Sequence, residues 1–93
     1  MTAGARATLN FTGTAVNWIG YRDEWSGIAK VTLDGVLIAN VDTYAAPAQS
    51  QAVTYSLTNL AQQTHTLVIE VTGLKNGSAK GQWVWIDAFD VTP

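Results

Sequence analysis

Cysteine is absent from the sequence, and histidine and methionine occur once each. Without cysteine the chain can form no disulfide, thiolate nucleophile or thiolate metal ligand. A catalytic triad or a histidine-based metal site needs partner groups around the single His65, and the sequence does not supply them. We therefore expect no catalytic residue, no metal ligand and no cofactor, and we interpret His65 as a structural residue that helps to fix the turn before it.

Charged residues are also scarce, at 13% of the chain, and the net charge is −2. The five basic residues are scattered singly, so no basic stripe is available to attract nucleic acid or an anionic membrane surface. No apolar run approaches the roughly 20 residues of a membrane-spanning helix. We expect neither nucleic acid nor a membrane among the partners of this protein.

Apolar residues make up 47% of the chain and alternate with polar residues over short segments separated by turn residues. This period of two is typical of half-buried strands, and no segment shows the period of a helix. Seven strands are predicted, at residues 6–12, 14–20, 28–33, 36–41, 52–57, 65–72 and 81–91. The dipeptide Asp34-Gly35 between two apolar segments predicts a two-residue hairpin turn. The pattern indicates an all-β protein, an antiparallel β-sandwich of jelly-roll type, in a single domain over residues 1–93.

The predicted last strand carries an adjacent pair of tryptophans. Because side chains alternate across a strand, Trp83 and Trp85 share one face, whereas Val84 and Ile86 share the other. The face of Val84 is predicted to belong to the core. The two indole rings are then either covered by other protein or exposed as a platform for a ligand, and the sequence leaves both interpretations open.

More candidate ligand contacts lie in the predicted loop 21–27, which carries two aromatic and three charged residues. Loops on a rigid sheet commonly carry binding residues. Aromatic rings bind sugars because the apolar C–H face of a pyranose packs on the electron-rich ring, while nearby polar side chains bind the hydroxyl groups. The candidate ligand-binding residues are Trp83, Trp85, Tyr21, Trp25, Arg22, Asp23, Asn76 and Gln82.

Several segments follow one another in the order of a known family. They are Phe11-Thr12-Gly13-Thr14, Asn17-Trp18-Ile19-Gly20, Ala29-Lys30-Val31-Thr32-Leu33-Asp34-Gly35, residues 60–67, Ile69-Glu70-Val71-Thr72-Gly73 and Ile86-Asp87-Ala88-Phe89. Over nearly its whole length the chain thus resembles the galactose-binding-like β-jelly-roll modules appended to bacterial secreted glycosidases and cell-surface proteins. The resemblance implies a non-catalytic carbohydrate-binding module of a secreted or cell-surface protein, with carbohydrate as its partner.

The chain departs from that family in two respects. Family members usually have further strands before the segment that is residues 6–12 here, so the chain is either truncated at its N-terminus or a compact variant. Missing outer strands would leave an exposed sheet edge that invites pairing with a second copy. The positions of Trp83 and Trp85 are more often polar in the family. The alternative function is therefore a structural module that forms a homo-oligomer through the Trp83/Trp85 face and an open sheet edge.

Two further chemistries have little support in the sequence. Glycoside hydrolysis needs two carboxylates that flank one bond, and the adjacent Asp23 and Glu24 point apart in an extended loop. Related jelly rolls often hold a structural calcium ion, which takes roughly six to eight oxygen ligands, but this chain has no Asp-x-Asp-x-Asp segment. We expect a binding protein rather than an enzyme.

Overall fold

The computed structural model describes residues 4–93, which form seven β-strands and no helix. The strands are β1 (Arg6–Gly13), β2 (Ala15–Arg22), β3 (Ile28–Leu33), β4 (Val36–Asp42), β5 (Gln49–Leu57), β6 (Gln63–Val71) and β7 (Ala88–Thr92). They build two antiparallel sheets, with the strand orders β1-β6-β3-β4 and β5-β2-β7. The chain changes sheet at every connection except the β3–β4 hairpin. The prediction of an all-β antiparallel sandwich with about seven strands is confirmed.

The core lies between the two sheets and is built from the inward residues of alternating strands. The four-stranded sheet contributes Phe11, Ala29, Val31, Leu33, Leu67, Ile69 and Val71. The three-stranded sheet contributes Val16 and Trp18, and Val84 joins them from the segment before β7. Trp18 is the largest fully buried side chain, and it lies on β2, the central strand of its sheet. Burial of one large apolar side chain contributes about 1.5–3 kcal/mol, so these positions fix which face of each strand points inward.

The β3–β4 hairpin has the turn that its sequence predicts. Leu33 pairs with Val36, so the turn contains only Asp34 and Gly35. Their φ angles are 52° and 81°. Positive φ at both central positions defines the type I′ turn, whose twist matches that of the two flanking strands. The hairpin places β4 at the edge of the four-stranded sheet.

The prediction of one strand over residues 81–91 is wrong in its first half. β7 begins only at Ala88, where the chain pairs with β2. Before that point, Trp83 forms an isolated parallel bridge with Ser26. The carbonyl oxygen of Trp85 accepts a hydrogen bond from a side chain, the indole of Trp18, instead of from a neighbouring strand. Residues 81–87 therefore form an extended segment without a continuous ladder.

The side chains of this segment nevertheless alternate as predicted. Val84 is 1% exposed, whereas Trp83 and Trp85 are 45% and 41% exposed. Alternation follows from the extended backbone itself, which turns successive side chains to opposite sides whether or not a partner strand is present. The platform and the interface interpretations of the two tryptophans both stay predictions.

Two other strand predictions need correction. Tyr21 belongs to β2, which continues through Arg22, and not to the following loop. Alternation over the predicted strand 52–57 places Val53, Tyr55 and Leu57 on one face. In the structure Val53 does not share the face of Tyr55, because Trp18 pairs with Tyr55 while the next residue of β2 pairs with Val53. The residue between them, Thr54, is an extra residue in the strand, as in a β-bulge. Val53 is consequently 53% exposed, and Thr54 is buried.

Candidate functional site

Four aromatic side chains form a row on the surface of the sandwich. The ring centroids of Trp83 and Trp85 lie 6.2 Å apart, and the ring planes differ by 29°. Tyr21 meets Trp85 edge to face, with a centroid distance of 6.0 Å and an angle of 89°. Trp25 lies beyond Trp83, since both indoles border Gly81. We call Tyr21, Trp85, Trp83 and Trp25 the aromatic strip.

The strip is open to solvent. Trp25 is 52% exposed, somewhat more than Trp83 and Trp85, and Tyr21 is half-buried. The centroid distance of 6.2 Å between Trp83 and Trp85 lies within the range of offset-stacked aromatic pairs. Contiguous exposed aromatic surface of this kind usually marks an interaction site on a soluble domain.

The backbone beneath Trp85 is anchored to β2. The indole Nε1 of Trp18 donates to the carbonyl oxygen of Trp85 at 3.2 Å, and the backbone N–H of Asp87 donates to the carbonyl oxygen of Ile19 at 2.9 Å. A β-carbon at Gly20 would collide with the same Trp85 carbonyl oxygen. The close approach of the two segments therefore requires glycine at this position of β2.

The backbone at Trp83 is anchored to the loop between β2 and β3. The N–H of Trp83 donates to the carbonyl oxygen of Trp25 at 3.1 Å, and the N–H of Gly27 donates to the carbonyl oxygen of Trp83 at 2.7 Å. A β-carbon at Gly81 would lie 2.8 Å from the Trp25 carbonyl oxygen and 3.3 Å from one ring atom of each of Trp25 and Trp83. The absence of a side chain at Gly81 lets the two indoles lie close together.

The outer end of the strip carries an ion pair. The Nζ atom of Lys80 lies 5.9 Å from the ring centroid of Trp25 and 3.2 Å from a carboxylate oxygen of Glu24. Both charged side chains are largely exposed, so the pair contributes little to stability. The ammonium group nevertheless packs over one face of Trp25 by a cation–π contact, and the charge near the strip is balanced.

Asp23 shapes the loop that carries Trp25. Its Oδ1 accepts hydrogen bonds from the backbone N–H of Trp25 at 2.9 Å and from the hydroxyl of Ser26 at 2.8 Å. Ser26 is completely buried, and its oxygen also accepts from the N–H of Asp23 at 3.2 Å. This closed arrangement is typical of an Asx turn. The structure thus places Asp23 beneath the strip, where it fixes the backbone of Trp25.

Arg22 and Asn76 are engaged with the end of β4 and the residues that follow it. The Nη2 group of Arg22 donates to the carbonyl oxygens of Asp42 and Tyr44 at 3.0 and 3.4 Å. The Nδ2 group of Asn76 donates to the Asp42 carboxylate at 2.8 Å, and its Oδ1 accepts from two backbone N–H groups of its own loop. These side chains hold loops together and do not belong to the row of rings.

Two polar groups, one adjacent to Trp83 in the sequence and one on Tyr21, remain without an internal partner. Gln82 is exposed, and neither its carboxamide nor the hydroxyl of Tyr21 forms a hydrogen bond with any part of residues 4–93. Of the sequence-predicted site residues, the structure brings together Tyr21, Trp25, Trp83 and Trp85. The side chains of Arg22, Asp23 and Asn76 are instead engaged in internal hydrogen bonds.

His65 lies on the opposite sheet, between two hydrogen-bond acceptors. Its Nδ1 lies 2.6 Å from a carboxylate oxygen of Asp34, and its Nε2 lies 2.7 Å from the carbonyl oxygen of Ala61. The ring also packs on Phe11 at 5.4 Å. The imidazole thus connects the β3–β4 turn with the turn before β6, in agreement with a structural role.

This arrangement shifts the pKa of both side chains. The hydrogen bond to Asp34, and then that to Ala61, raise the pKa of His65 above its usual 6.5, because only the protonated ring can donate from both nitrogens. The hydrogen bond from His65, and then that from the backbone N–H of Thr66, lower the pKa of Asp34 below its usual 3.8. The pair is therefore charged at mildly acidic pH.

Three residues of the site were missed by the sequence-based predictions. Lys80 covers a face of Trp25, Gly81 admits the two indoles side by side, and Ser26 completes the Asx turn. Gly81 gave a signal, since glycine in an extended segment often marks a close approach of another part of the chain. Ser26 also gave a signal, since it follows Asp23 by three residues in the same loop. The contact of Lys80 depends on the approach of two distant loops, which no local pattern indicates.

Two other features are absent from the described residues. Among the described residues, no group of three or more histidine, aspartate or glutamate side chains is placed to hold a metal ion. Within the same part of the chain, no helix is long and apolar enough to cross a membrane.

The molecule is thus a small antiparallel sandwich with an exposed aromatic strip at its surface. No family model matches the chain. Over 66 residues, or 71% of its length, the chain is 39% identical to the A type blood N-acetyl-alpha-D-galactosamine deacetylase of Flavonifractor plautii. The match covers 8% of that protein, so the chain corresponds to a small segment of it. A distant relationship to part of a carbohydrate-processing enzyme is compatible with a carbohydrate-binding module.

Proposed function

We propose that this domain is a non-catalytic carbohydrate-binding module and that glycans bind on the aromatic strip. The observation that carries the proposal is the exposure of Trp25, Trp83 and Trp85 as neighbouring rings on a rigid β-sandwich. Each ring offers an electron-rich face to the apolar C–H face of a sugar. The backbone beneath the rings is fixed by hydrogen bonds, so binding requires little ordering of the site.

The polar surroundings of the strip suit a sugar. The carboxamide of Gln82 offers both donors and an acceptor, and the hydroxyl of Tyr21 offers one more group of each kind. Neither group would have to give up an internal hydrogen bond on binding. The combination of apolar faces with a few free polar groups is the usual composition of a site for a small organic ligand.

The relative supports the choice of ligand class. Its name describes a deacetylase of A type blood N-acetyl-alpha-D-galactosamine, and this chain matches a segment that is only 8% of that enzyme. A segment of this size leaves ample room in the relative for a separate catalytic part. We propose accordingly that the present chain is the glycan-binding module of a larger secreted or cell-surface protein and performs no catalysis itself.

The proposal is tested by binding to a broad panel of immobilised glycans and soluble polysaccharides. The wild-type chain is compared with Trp83→Ala and with Val36→Ala, a control at an apolar side chain that is 61% exposed on the distant edge strand β4. We expect the wild type and the control to bind one glycan class equally and Trp83→Ala to lose most of that binding. Absence of binding to every glycan would contradict the proposal, as would equal binding by all three proteins.

A second candidate function is self-association. Val36, Leu37 and Ile38 on the edge strand β4 are 61%, 52% and 40% exposed, and no charged residue or proline interrupts them. An apolar edge of this kind can pair with the edge of another molecule. If the domain forms a homo-oligomer through this edge or through the Trp83/Trp85 face, sedimentation velocity will show a species larger than the monomer. Leu37→Lys would then release monomers by disrupting the edge, and Trp83→Ala would do so by disrupting the face.

A further inference from the structure

We infer that the ligand is a neutral oligosaccharide chain that lies along the aromatic strip, rather than one terminal sugar held in a pocket. The inference rests on the proposed function, which it makes more specific. Its basis is the serial arrangement of the four rings and the small number of free polar groups around them.

Each ring of the strip lies next to the following one. Tyr21 contacts Trp85, Trp85 contacts Trp83, and Trp83 borders Trp25 across Gly81. The steps between ring centroids are 6.0 and 6.2 Å for the two contacts that involve Trp85. A pyranose is about as wide as a six-membered aromatic ring, so one sugar covers one or two members of this row. Occupying the whole strip requires several linked sugar units.

Recognition of a single terminal sugar would need several polar groups that converge on its hydroxyls. The polar side chains nearest to the strip are committed elsewhere. Asp23 is bonded to the backbone of Trp25, and Glu24 is paired with Lys80. Within residues 4–93, the side chains of Gln82 and Asp87 and the hydroxyl of Tyr21 form no hydrogen bond, and each lies within two residues of a ring of the strip or belongs to one. The binding energy must therefore come mainly from ring contacts, which increase in number with the length of the chain.

The balance of charge indicates a neutral chain. The ammonium group of Lys80 is 3.2 Å from the Glu24 carboxylate, so the strip carries no unbalanced positive charge that would favour a carboxylated or sulfated sugar. An acidic polysaccharide would also meet a protein whose net charge is −2. A neutral glycan needs no unpaired positive charge on the protein and is not repelled by its net negative charge. It still presents the apolar C–H faces that the rings bind.

The test measures affinity against chain length by isothermal titration calorimetry. The probes are neutral oligosaccharide series, from monosaccharide to hexasaccharide, built from glucose, xylose, mannose and galactose. We expect affinity to rise by roughly two- to tenfold for each additional ring that is contacted and to level off once the strip is covered. The variant Trp25→Ala, at the end of the strip, should weaken binding of the hexasaccharide and leave binding of the disaccharide nearly unchanged.

The outcomes separate this inference from the proposed function. Equal affinity for a monosaccharide and its hexasaccharide would overturn the extended-chain inference while carbohydrate binding itself would stand. The same conclusion would follow if Trp25→Ala weakened every chain length by one common factor. Absence of heat and of retention for all glycans tested would overturn the proposed function and this inference together.

Discussion

The indole Nε1 of Trp18 donates a hydrogen bond to the carbonyl oxygen of Trp85 across 3.2 Å. Trp18 is 2% exposed in the centre of the core, whereas the side chain of Trp85 is 41% exposed in the aromatic strip. One hydrogen bond thus connects the packing of the sandwich to the position of the exposed rings. Removing it should affect stability and binding together.

We predict that Trp18→Phe destabilises the fold by at least about 2 kcal/mol, because it opens a cavity and leaves the Trp85 carbonyl without its donor. It should also weaken glycan binding, since the segment beneath Trp85 loses an anchor. The control is Val16→Ala, which opens a cavity on the same strand and leaves the hydrogen bond intact. Urea denaturation and calorimetric titration measure the two effects. Equal binding by the two variants would contradict the anchoring role of Trp18.

The alternation between Trp83 and Val84 predicts opposite phenotypes for neighbouring substitutions. Val84 is 1% exposed, so Val84→Ala should cost about 1–2 kcal/mol of unfolding free energy and preserve binding. Trp83 is 45% exposed, so Trp83→Ala should change stability by less than about 1 kcal/mol and abolish most binding. Thermal unfolding and glycan titration of the two variants distinguish these effects. Loss of stability in Trp83→Ala without loss of binding would reverse the assignment of the two faces.

Gly81 is predicted to control the spacing of two rings. In Gly81→Ala the new methyl group would lie 2.8 Å from the Trp25 carbonyl oxygen and 3.3 Å from an atom of each indole. The backbone or the rings must move, at a cost of about 1–3 kcal/mol, and binding of long glycans should weaken. Gly77→Ala is the matched control, because a β-carbon at Gly77 meets no atom within 4 Å. Indistinguishable melting temperatures and affinities for the two variants would argue against close packing at Gly81.

The pair of His65 and Asp34 predicts the pH dependence of stability. The raised pKa of His65 gives a stabilisation that is complete below pH 6.5 and is lost as pH rises through the pKa of the folded state. The lowered pKa of Asp34 gives a stabilisation that is present above pH 3.8 and is lost as pH falls through its folded-state pKa. The contribution of the pair to the unfolding free energy should therefore be greatest between about pH 4 and pH 6.5.

The variant Asp34→Asn tests this dependence. Asparagine tolerates the positive φ of the turn and can still accept the hydrogen bond from the N–H of Thr66, but it carries no charge to hold the proton on His65. We expect urea denaturation at a series of pH values to show a smaller loss of stability above pH 6.5 in the variant than in the wild type. An identical alkaline decline in both proteins would show that Asp34 does not set the pKa of His65.

The fold could be predicted from the sequence because each element follows a local rule. The Asp34-Gly35 turn needs only two residues with positive φ, and the inward face of β3 follows from strict alternation. The error at Val53 arose because an extra residue at Thr54 reverses the alternation, and its position depends on the pairing with β2. Bulges of this kind are set by tertiary contacts that a period of two does not contain.

The candidate site could be predicted only in part, for a similar reason. That Trp83 and Trp85 share the face opposite the buried Val84 followed from local alternation, whereas their exposure was left open by the sequence. The aromatic neighbours of this pair could not be predicted, because Tyr21 and Trp25 come from the distant end of β2 and the loop after it. The internal hydrogen bonds of Arg22, Asp23 and Asn76 could not be predicted either. Residue type shows which hydrogen bonds a side chain can form, but not whether another part of the chain already satisfies them.

The most direct test of the account is an NMR titration that follows the indole N–H signals of the four tryptophans. The protein is titrated with the best-binding neutral oligosaccharide from the panel, and the signals are assigned from single tryptophan variants. The account predicts large, saturable shifts for Trp25, Trp83 and Trp85 and a smaller shift for Trp18, whose N–H is bonded to the Trp85 carbonyl oxygen inside the protein. A glycan that binds and leaves the three exposed indoles unshifted would contradict the aromatic strip as the binding site.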